Sequence, residues 1–257
     1  QGLNHAPGSA FEYSNSNYDV LGLLIETVSG QSYGDYMRAN VFEPLGMTNT
    51  FTSLPAARQA GMSNAFYPFF GRQTNLDALL PYSRATQPSA GVIGSAEDMA
   101  RYLMLHLNGG RGQDAQLLSA ESVAVLHAPG VAINANMGYG MGWAIWPFEE
   151  AAPPGGSAPM VVSHGGDWLG FVHVNLLVPE QDLGVVLLMN GKDPTTSSAF
   201  ENITFDVTLL AMGQEAQYFP AYEDVLTRHL RPLSVATIVV LLLAGLVALR
   251  RLRRLRR

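Results

Sequence analysis

Apolar residues recur every three or four positions near the start of the chain, which is the period of an amphipathic helix. The apolar positions are Val20, Leu21, Leu24, Ile25 and Val28. Ser16 or Asn17 precedes them as an N-cap, and Gly30 follows them where a left-handed residue ends a helix. The pattern therefore predicts a buried helix over residues 17–30, preceded by a tight loop.

Helical spacing returns at several later points. Further helices are predicted over residues 32–41, from residue 95 to the glycines at 109 and 110, over 119–127 and over 196–213. The clearest of them begins at Ser95, an N-cap with Asp98 in capping-box register. The intervening residues 44–94 are rich in Pro, Gly and aromatic side chains, and we expect them to form loops over a cleft.

From about residue 139 the pattern changes to short apolar runs between turn residues, which is typical of strands. The runs cover residues 140–146, 160–163, 171–178 and 183–189. The sequence PEQD at residues 179–182 is a turn between the last two runs, so these runs are expected to pair as antiparallel neighbours. Helices that flank an antiparallel sheet make an α+β fold.

The C-terminal part differs from this body. Residues 233–249 contain no charged side chain and are apolar on every face. As a helix they are about 25 Å long, near the lower limit for crossing a bilayer. This predicts a transmembrane helix, with a buried core helix or an amphipathic surface helix as alternatives. Arginines follow the run, so the positive-inside rule places them in the cytoplasm and the body outside.

The chain is thus expected to consist of four parts. They are a folded domain at residues 1–213, a linker at 214–232, a membrane helix at 233–249 and a basic cytoplasmic tail at 250–257. The membrane helix is either a single C-terminal anchor or the first of several spans in a larger membrane protein.

Charge and composition narrow the function. All 21 acidic residues lie within residues 1–227, together with only 7 of the 15 basic ones. This acidic body disfavours nucleic acid as a partner. The chain has no cysteine, which rules out a disulfide framework, a thiolate nucleophile and a cysteine metal site. No His, Asp and Glu cluster has metal-ligand spacing, so we expect neither a metal nor an organic cofactor.

Several separated motifs occur in one order along the body. Residues 7–18 read PGSAFEYSNSNY and lead into GLLIETVSG. The later motifs are VFEPLGM at 41–47, DMARYL at 98–103, YGMGW at 139–143, HGG at 164–166 and GF at 170–171. Over roughly residues 7–210 the chain resembles the serine β-lactamase-like family of class C β-lactamases, penicillin-binding DD-peptidases and related esterases. The resemblance implies an antiparallel sheet flanked by helices, with a helical subdomain.

In that family the nucleophile is a serine in Ser-x-x-Lys, where one helical turn places the lysine amine beside the serine hydroxyl. This chain has one lysine, Lys192, and the residue three positions before it is Met189. The motif is therefore absent from these 257 residues. We expect the N-terminal part of the domain to lie upstream of Gln1, and we expect this fragment alone to be inactive.

The resemblance assigns the active-site residues other than the serine and lysine to two segments of this chain. Tyr13 would be the general acid/base, with its phenol activated by a neighbouring ammonium. Asn15 would orient the substrate amide or ester by hydrogen bonding. For this assignment to hold, the phenol of Tyr13 and the imidazole of His164 must converge on one spot where an upstream hydroxyl docks.

The second segment is the HGG motif on the strand that edges the cleft. His164 stands where β-lactamases more often carry lysine, and a neutral imidazole binds a substrate carboxylate less firmly than an ammonium. Gly165 and Gly166 let backbone lie close to substrate. The N–H of Asp167 would supply one oxyanion donor, and the missing serine the other.

Two other features are interpreted as structural. Residues 30–34, GQSYG, match the nucleophile elbow of α/β-hydrolases, but a helix rather than a strand precedes them, so Ser32 is expected to cap the next helix. The remaining histidines show no paired spacing and are interpreted as structural or surface residues. They are His5, His106, His127, His173 and His229.

These observations favour a membrane-anchored serine hydrolase that acts through an acyl-enzyme on a small ester, amide or D-amino-acid peptide. The pattern does not separate esterase, DD-peptidase, D-aminopeptidase and β-lactamase activity. The alternative is a non-catalytic surface module that binds or regulates and keeps the fold without the nucleophile.

Overall fold

The computed structural model describes residues 2, 4–69, 72–191, 196–217 and 235–246. The named helices are α1 (Asn15–Ser29), α2 (Tyr33–Met37), α3 (Leu54–Gln59), α4 (Gln87–Ala90), α5 (Ala96–Leu107), α6 (Ala120–Leu126) and α7 (Thr196–Ala211). The strands are β1 (Thr50–Phe51), β2 (Phe66–Phe69), β3 (Arg72–Asn75), β4 (Ile93–Gly94), β5 (Val131–Ala132), β6 (Gly138–Tyr139), β7 (Ala144–Pro147), β8 (Met160–Trp168), β9 (Phe171–Val178) and β10 (Leu183–Met189).

The main sheet contains β10, β9, β8, β7, β6 and β5, in that spatial order, and neighbouring strands are antiparallel. Two short antiparallel pairs, β1 with β4 and β2 with β3, lie outside it. The predicted strands at 171–178 and 183–189 coincide with β9 and β10, and Asp182 makes the turn between them at φ 51°. The expected α+β fold with an antiparallel sheet is confirmed.

Helices cover both faces of this sheet. On one face, Val161, Leu176 and Val185 pack with Leu209 of α7, which buries all four side chains. On the other face, Val162 and Leu177 pack with Leu103 of α5. Side chains alternate between faces along a strand, so each strand contributes to both cores. We call these faces the α7 side and the α5 side of the sheet.

The predicted N-cap of α5 is confirmed, and α6 has a similar one that was not predicted. The hydroxyl of Ser95 accepts from the N–H of Asp98 at 3.2 Å, and that of Ser119 caps α6 in the same way. The Asp98 carboxylate is fully buried and accepts from the N–H of Asn49 at 2.7 Å and from the hydroxyl of Thr50 at 2.8 Å. The start of α5 is therefore fixed to the segment that enters β1.

The expectation that α1 is buried is wrong for the described part of the chain. Gly30 ends the helix in the left-handed region, as predicted, but α1 begins at Asn15 with Ser14 as its N-cap, earlier than expected. Gly22 is its buried residue, and it lies so close to Pro88 of α4 that a side chain would not fit. The exposed apolar side chains of α1 are Val20, Leu21, Leu23, Leu24 and Val28. Periodicity shows which face is apolar but not what covers it.

Several element boundaries differ from the predictions. The helix predicted over 32–41 is α2 followed by a π-helical turn, Arg38–Phe42. Residues 44–94, expected to be loops, also contain α3, α4 and the two short strand pairs. Of the strand predicted over 140–146, only the second half is observed, as β7, because Gly142 adopts φ 88° and turns the chain between β6 and β7.

Much of the C-terminal prediction lies outside the described residues, including the linker at 218–232, both ends of the run at 233–249, and the arginine tail. Residues 235–246 are helical, and their side chains are exposed. Within the described ranges, no helix has both the length and the apolar character that a bilayer crossing requires. Lys192 and His229 also lie outside them.

Candidate active site

Tyr13 lies on the loop that leads into α1, where the chain is extended up to Ser14. Its side chain is 51% exposed. Asn15 is the first residue of α1 and is also exposed. Tyr13 and Asn15 are thus two residues apart at the junction of this loop and α1.

The ring of Tyr13 stacks on the ring of His164, with centroids 6.2 Å apart and 30° between the planes. Tyr139, at the end of β6, meets His164 edge-on at 6.3 Å, and Phe11 lies 5.0 Å from Tyr139. The structure thus brings Tyr13 and His164 together, as the convergence expected from the sequence requires. Sequence reasoning missed Phe11 and Tyr139 as neighbours of these rings, although both lie in motifs that carried the resemblance.

Tyr18 and Tyr139 share a hydrogen bond between their hydroxyl oxygens at 3.2 Å. Burial raises the pKa of Tyr139, and the hydrogen bond and the nearby Tyr18 and Tyr13 phenols raise it further. Tyr139 therefore remains a neutral phenol at physiological pH. This hydrogen bond links the first turn of α1 to β6, and the Tyr139 ring of β6 contacts His164.

The HGG motif lies within β8, because that strand continues to Trp168 rather than ending at Ser163 as predicted. Val162 faces the α5 side. His164 lies two residues further along the strand and therefore faces the same side. Across the ladder, His164 pairs with Asn175, and Gly166 pairs with His173. Asp167, exposed near the end of the strand, pairs with Val172.

Burial lowers the pKa of His164 below its ordinary value of 6.5, and a hydrogen bond with the backbone at Gly165 partly opposes that shift. The imidazole is therefore neutral at physiological pH. A neutral ring can donate one N–H and accept at the other nitrogen. It offers no fixed positive charge to a substrate carboxylate.

Gly166 is required for a reason that the sequence does not reveal. A Cβ at this position would lie 2.1 Å from Cε1 of His173, so the imidazole occupies the space above the glycine. At Gly165 the fit is looser, with the nearest atom, the carbonyl oxygen of His173, 3.2 Å away. The open strand surface expected at the motif is thus partly covered by a histidine from β9.

Two histidines interpreted as unpaired form a pair away from this site. Nδ1 of His106 lies 3.0 Å from Nε2 of His127, and both rings meet Trp143 edge-on. Nε2 of His106 is buried without a hydrogen-bond partner in the described structure. Because one ring comes from α5 and the other from the end of α6, sequence spacing could not show this contact.

Ser32 caps α2, as predicted. Its hydroxyl accepts from the N–H of Asp35 at 3.1 Å and donates to the carboxylate of the same residue. It has no neighbouring histidine in the described hydrogen bonds, unlike an activated nucleophile. Within the described ranges, no group of three His, Asp or Glu side chains is arranged to hold a metal ion.

Comparison with known proteins gives one family. The sequence model of the family described as Beta-lactamase matches residues 1–205. Protein flp of Staphylococcus aureus (strain N315) is 31% identical over 188 residues, which are 73% of this chain and 35% of that protein. A protein of Escherichia coli O157:H7 described as a putative D-alanyl-D-alanine carboxypeptidase is 28% identical over 210 residues, covering 73% of this chain and 46% of that protein.

A solved structure supports the fold. The octameric penicillin-binding protein homologue from Pyrococcus abyssi superimposes with a TM-score of 0.69 at 24% identity, over 83% of this chain and 45% of that one. The chain therefore spans between about a third and a half of the length of each of these three proteins.

Proposed function

The chain belongs to the beta-lactamase family of serine hydrolases, and on that premise we propose that it forms part of an acyl-enzyme hydrolase acting on an ester, an amide or a D-amino-acid peptide. The observation that carries the proposal is the contact of the Tyr13 and His164 rings. This contact places Tyr13, from the first motif of the chain, beside the strand that carries HGG. A hydrolase of this family needs its general acid/base and the strand that binds the substrate next to each other.

In this proposal the attacking serine, with its lysine, comes from sequence outside these 257 residues. Two observations support that. The chain covers about a third of Protein flp and under half of the carboxypeptidase-like relative. The apolar face of α1 is exposed next to Tyr13, which suits a further helix packing there.

The steps follow from the residue types. The serine oxygen attacks the substrate carbonyl while its proton passes to the general base formed by the lysine and Tyr13. Tyr13 then protonates the leaving alcohol or amine, and the acyl-enzyme forms. Water then attacks the carbonyl of the acyl-enzyme, the serine oxygen leaves and takes up a proton, and the carboxylic acid product is released. The N–H of Asp167 and that of the serine stabilise the oxyanion at each addition, and Asn15 orients the acyl side of the substrate.

The charge of the site bears on the class of substrate. A neutral His164 favours neutral esters and amides over substrates that end in a free carboxylate. The name of the Escherichia coli relative points instead to peptides that end in D-alanine. We propose that both classes are substrates and that esters have the higher kcat/KM.

We also propose that the protein is anchored through residues 233–249, with its folded body outside the membrane and its arginine tail in the cytoplasm. The helical, exposed residues 235–246 support this, since Val240, Leu241 and Leu242 are all more than 60% exposed. Extraction of membranes with alkaline carbonate tests it. The full-length protein should stay in the pellet, and deletion of residues 233–257 should release it.

A fluorophosphonate probe for activated serines tests the hydrolase proposal. The full-length protein should form one adduct, mapped by mass spectrometry to the serine of a Ser-x-x-Lys motif. The 257-residue chain alone is the matched control and should form none. If the folded full-length protein forms no adduct, the hydrolase proposal fails and the alternative of a non-catalytic binding module is favoured.

A further inference from the structure

His173 of β9 lies against the backbone of the HGG motif. It pairs with Gly166 across the β8–β9 ladder. A Cβ added to Gly166 would lie 2.1 Å from Cε1 and 2.6 Å from Nδ1 of the His173 ring. The imidazole thus occupies the place of the missing side chain and limits how far this part of β8 can move toward the α5 side.

The same ring is a diagonal neighbour of His164. His164 and Gly166 are two residues apart on β8 and face the same side, and His173 lies opposite the second of them. Diagonal cross-strand residues are within reach of long or aromatic side chains. On the other side of His173, β10 presents Leu188, which is apolar.

The positive charge of one protonated imidazole disfavours protonation of the other. Burial lowers the pKa of His173, and a protonated His164 lowers it further. The other titratable groups in ring contact with this pair are the phenols of Tyr13 and Tyr139, which meet His164. Protonation of His164 therefore opposes protonation of His173.

Asn175 completes this small polar group. It pairs with His164, and its side chain is buried, with an Oδ1 that has no hydrogen-bond partner among the described residues. A buried amide oxygen without a partner is costly, so it tends to select a neighbour that presents an N–H.

We propose that His173 is a positioning residue of the active site, whose neutral imidazole packs on Gly166 and holds in place the strand segment that presents the Asp167 N–H to the oxyanion. The inference rests on the proposed hydrolase function.

The first test measures proton binding and needs no activity. Imidazole nitrogen signals of the full-length protein are followed by NMR from pH 8 to pH 4. Replacing His164→Gln should raise the proton affinity of His173 about threefold or more, because the neighbouring charge is gone. His5→Gln, which removes an exposed histidine elsewhere, should leave it unchanged. A His173 titration that does not respond to His164→Gln would overturn the pairing.

The second test uses the full-length enzyme with an ester substrate. His173→Ala should lower kcat about tenfold and leave KM within about twofold, because one oxyanion donor is loosened while the binding surface remains. His173→Phe keeps a ring over Gly166 and should recover most of kcat. Turnover that His173→Ala leaves unchanged would overturn the positioning role alone. Absence of turnover in the wild-type enzyme would overturn the proposed function, and the positioning role with it.

Discussion

The phenol ring of Tyr13 stacks on the imidazole of His164 at 6.2 Å, although one residue precedes the first helix and the other lies in a late strand of the sheet. The contact joins the loop before α1 to β8. Tyr139 adds a third ring at 6.3 Å from His164, which fixes the relative position of the two segments.

Removing the Tyr13 hydroxyl should abolish most turnover while keeping the ring stack. For Tyr13→Phe in the full-length protein we expect kcat/KM for an ester to fall by about 10²- to 10⁴-fold, the usual contribution of a general acid/base. Steady-state hydrolysis measures it, with circular dichroism to verify folding. Tyr36→Phe on α2 is the matched control and should lose less than about twofold. Equal activities of the two variants would contradict the role of Tyr13.

The neutral state of His164 should appear in both pH dependence and specificity. Because burial lowers its folded pKa below 6.5, the imidazole stays neutral as pH falls through that value. The acid limb of kcat/KM should therefore lie below pH 6.5. His164→Lys adds a fixed charge and should raise preference for a carboxylate-bearing ester over its neutral methyl ester by about tenfold. An unchanged preference would show that this side chain does not face the substrate.

The His106–His127 pair should make stability fall in mild acid. Burial and the charge of His127 lower the pKa of His106 to about 4, and burial lowers the pKa of His127. The unfolded chain, with ordinary values near 6.5, binds these protons first as pH falls. Stability is thus fully present above about pH 6.5 and is lost toward pH 4, by on the order of 3 kcal/mol for His106.

Urea unfolding of the 257-residue chain at several pH values measures this loss. His106→Gln should flatten the slope of stability between pH 6.5 and pH 4, even if it lowers stability at neutral pH. His5→Gln is the control, because that side chain is about half exposed. A slope that His106→Gln leaves as steep as in the parent chain would rule out this pair as its source.

Two carboxylates that share one arginine should differ widely in their contribution to stability. The buried Asp98 binds Nη1 of Arg101 at 3.0 Å and also accepts hydrogen bonds from the start of β1 and the residue before it, whereas the exposed Glu97 binds Nη2 of Arg101 at 2.7 Å. Asp98→Ala should cost about 3–5 kcal/mol, because it leaves buried donors without a partner. Glu97→Ala should cost less than about 1 kcal/mol. Chemical denaturation compares the two, and similar losses would contradict the structure.

Much of the body could be predicted because its signals are local. Ser95 and Ser119 cap helices through a hydroxyl and an N–H three residues on, which a short window of sequence contains. β9 and β10 were predicted residue for residue, since their apolar runs end at a turn. The length of β8 was underestimated because Gly165 and Gly166 resemble a strand end, whereas pairing with Val174 and His173 of β9 keeps them extended.

The amino-acid sequence by itself determined the family, the α+β class, the order of motifs and the two segments that carry Tyr13 and His164, because all of these follow from residue types at short, fixed spacings. Only the tertiary structure decided that the two rings touch, that His173 covers Gly166, that His106 meets His127 and that the apolar face of α1 is exposed. Each of these depends on which distant segments the fold brings together or leaves apart, and hydrophobic periodicity carries no information about the identity of a partner.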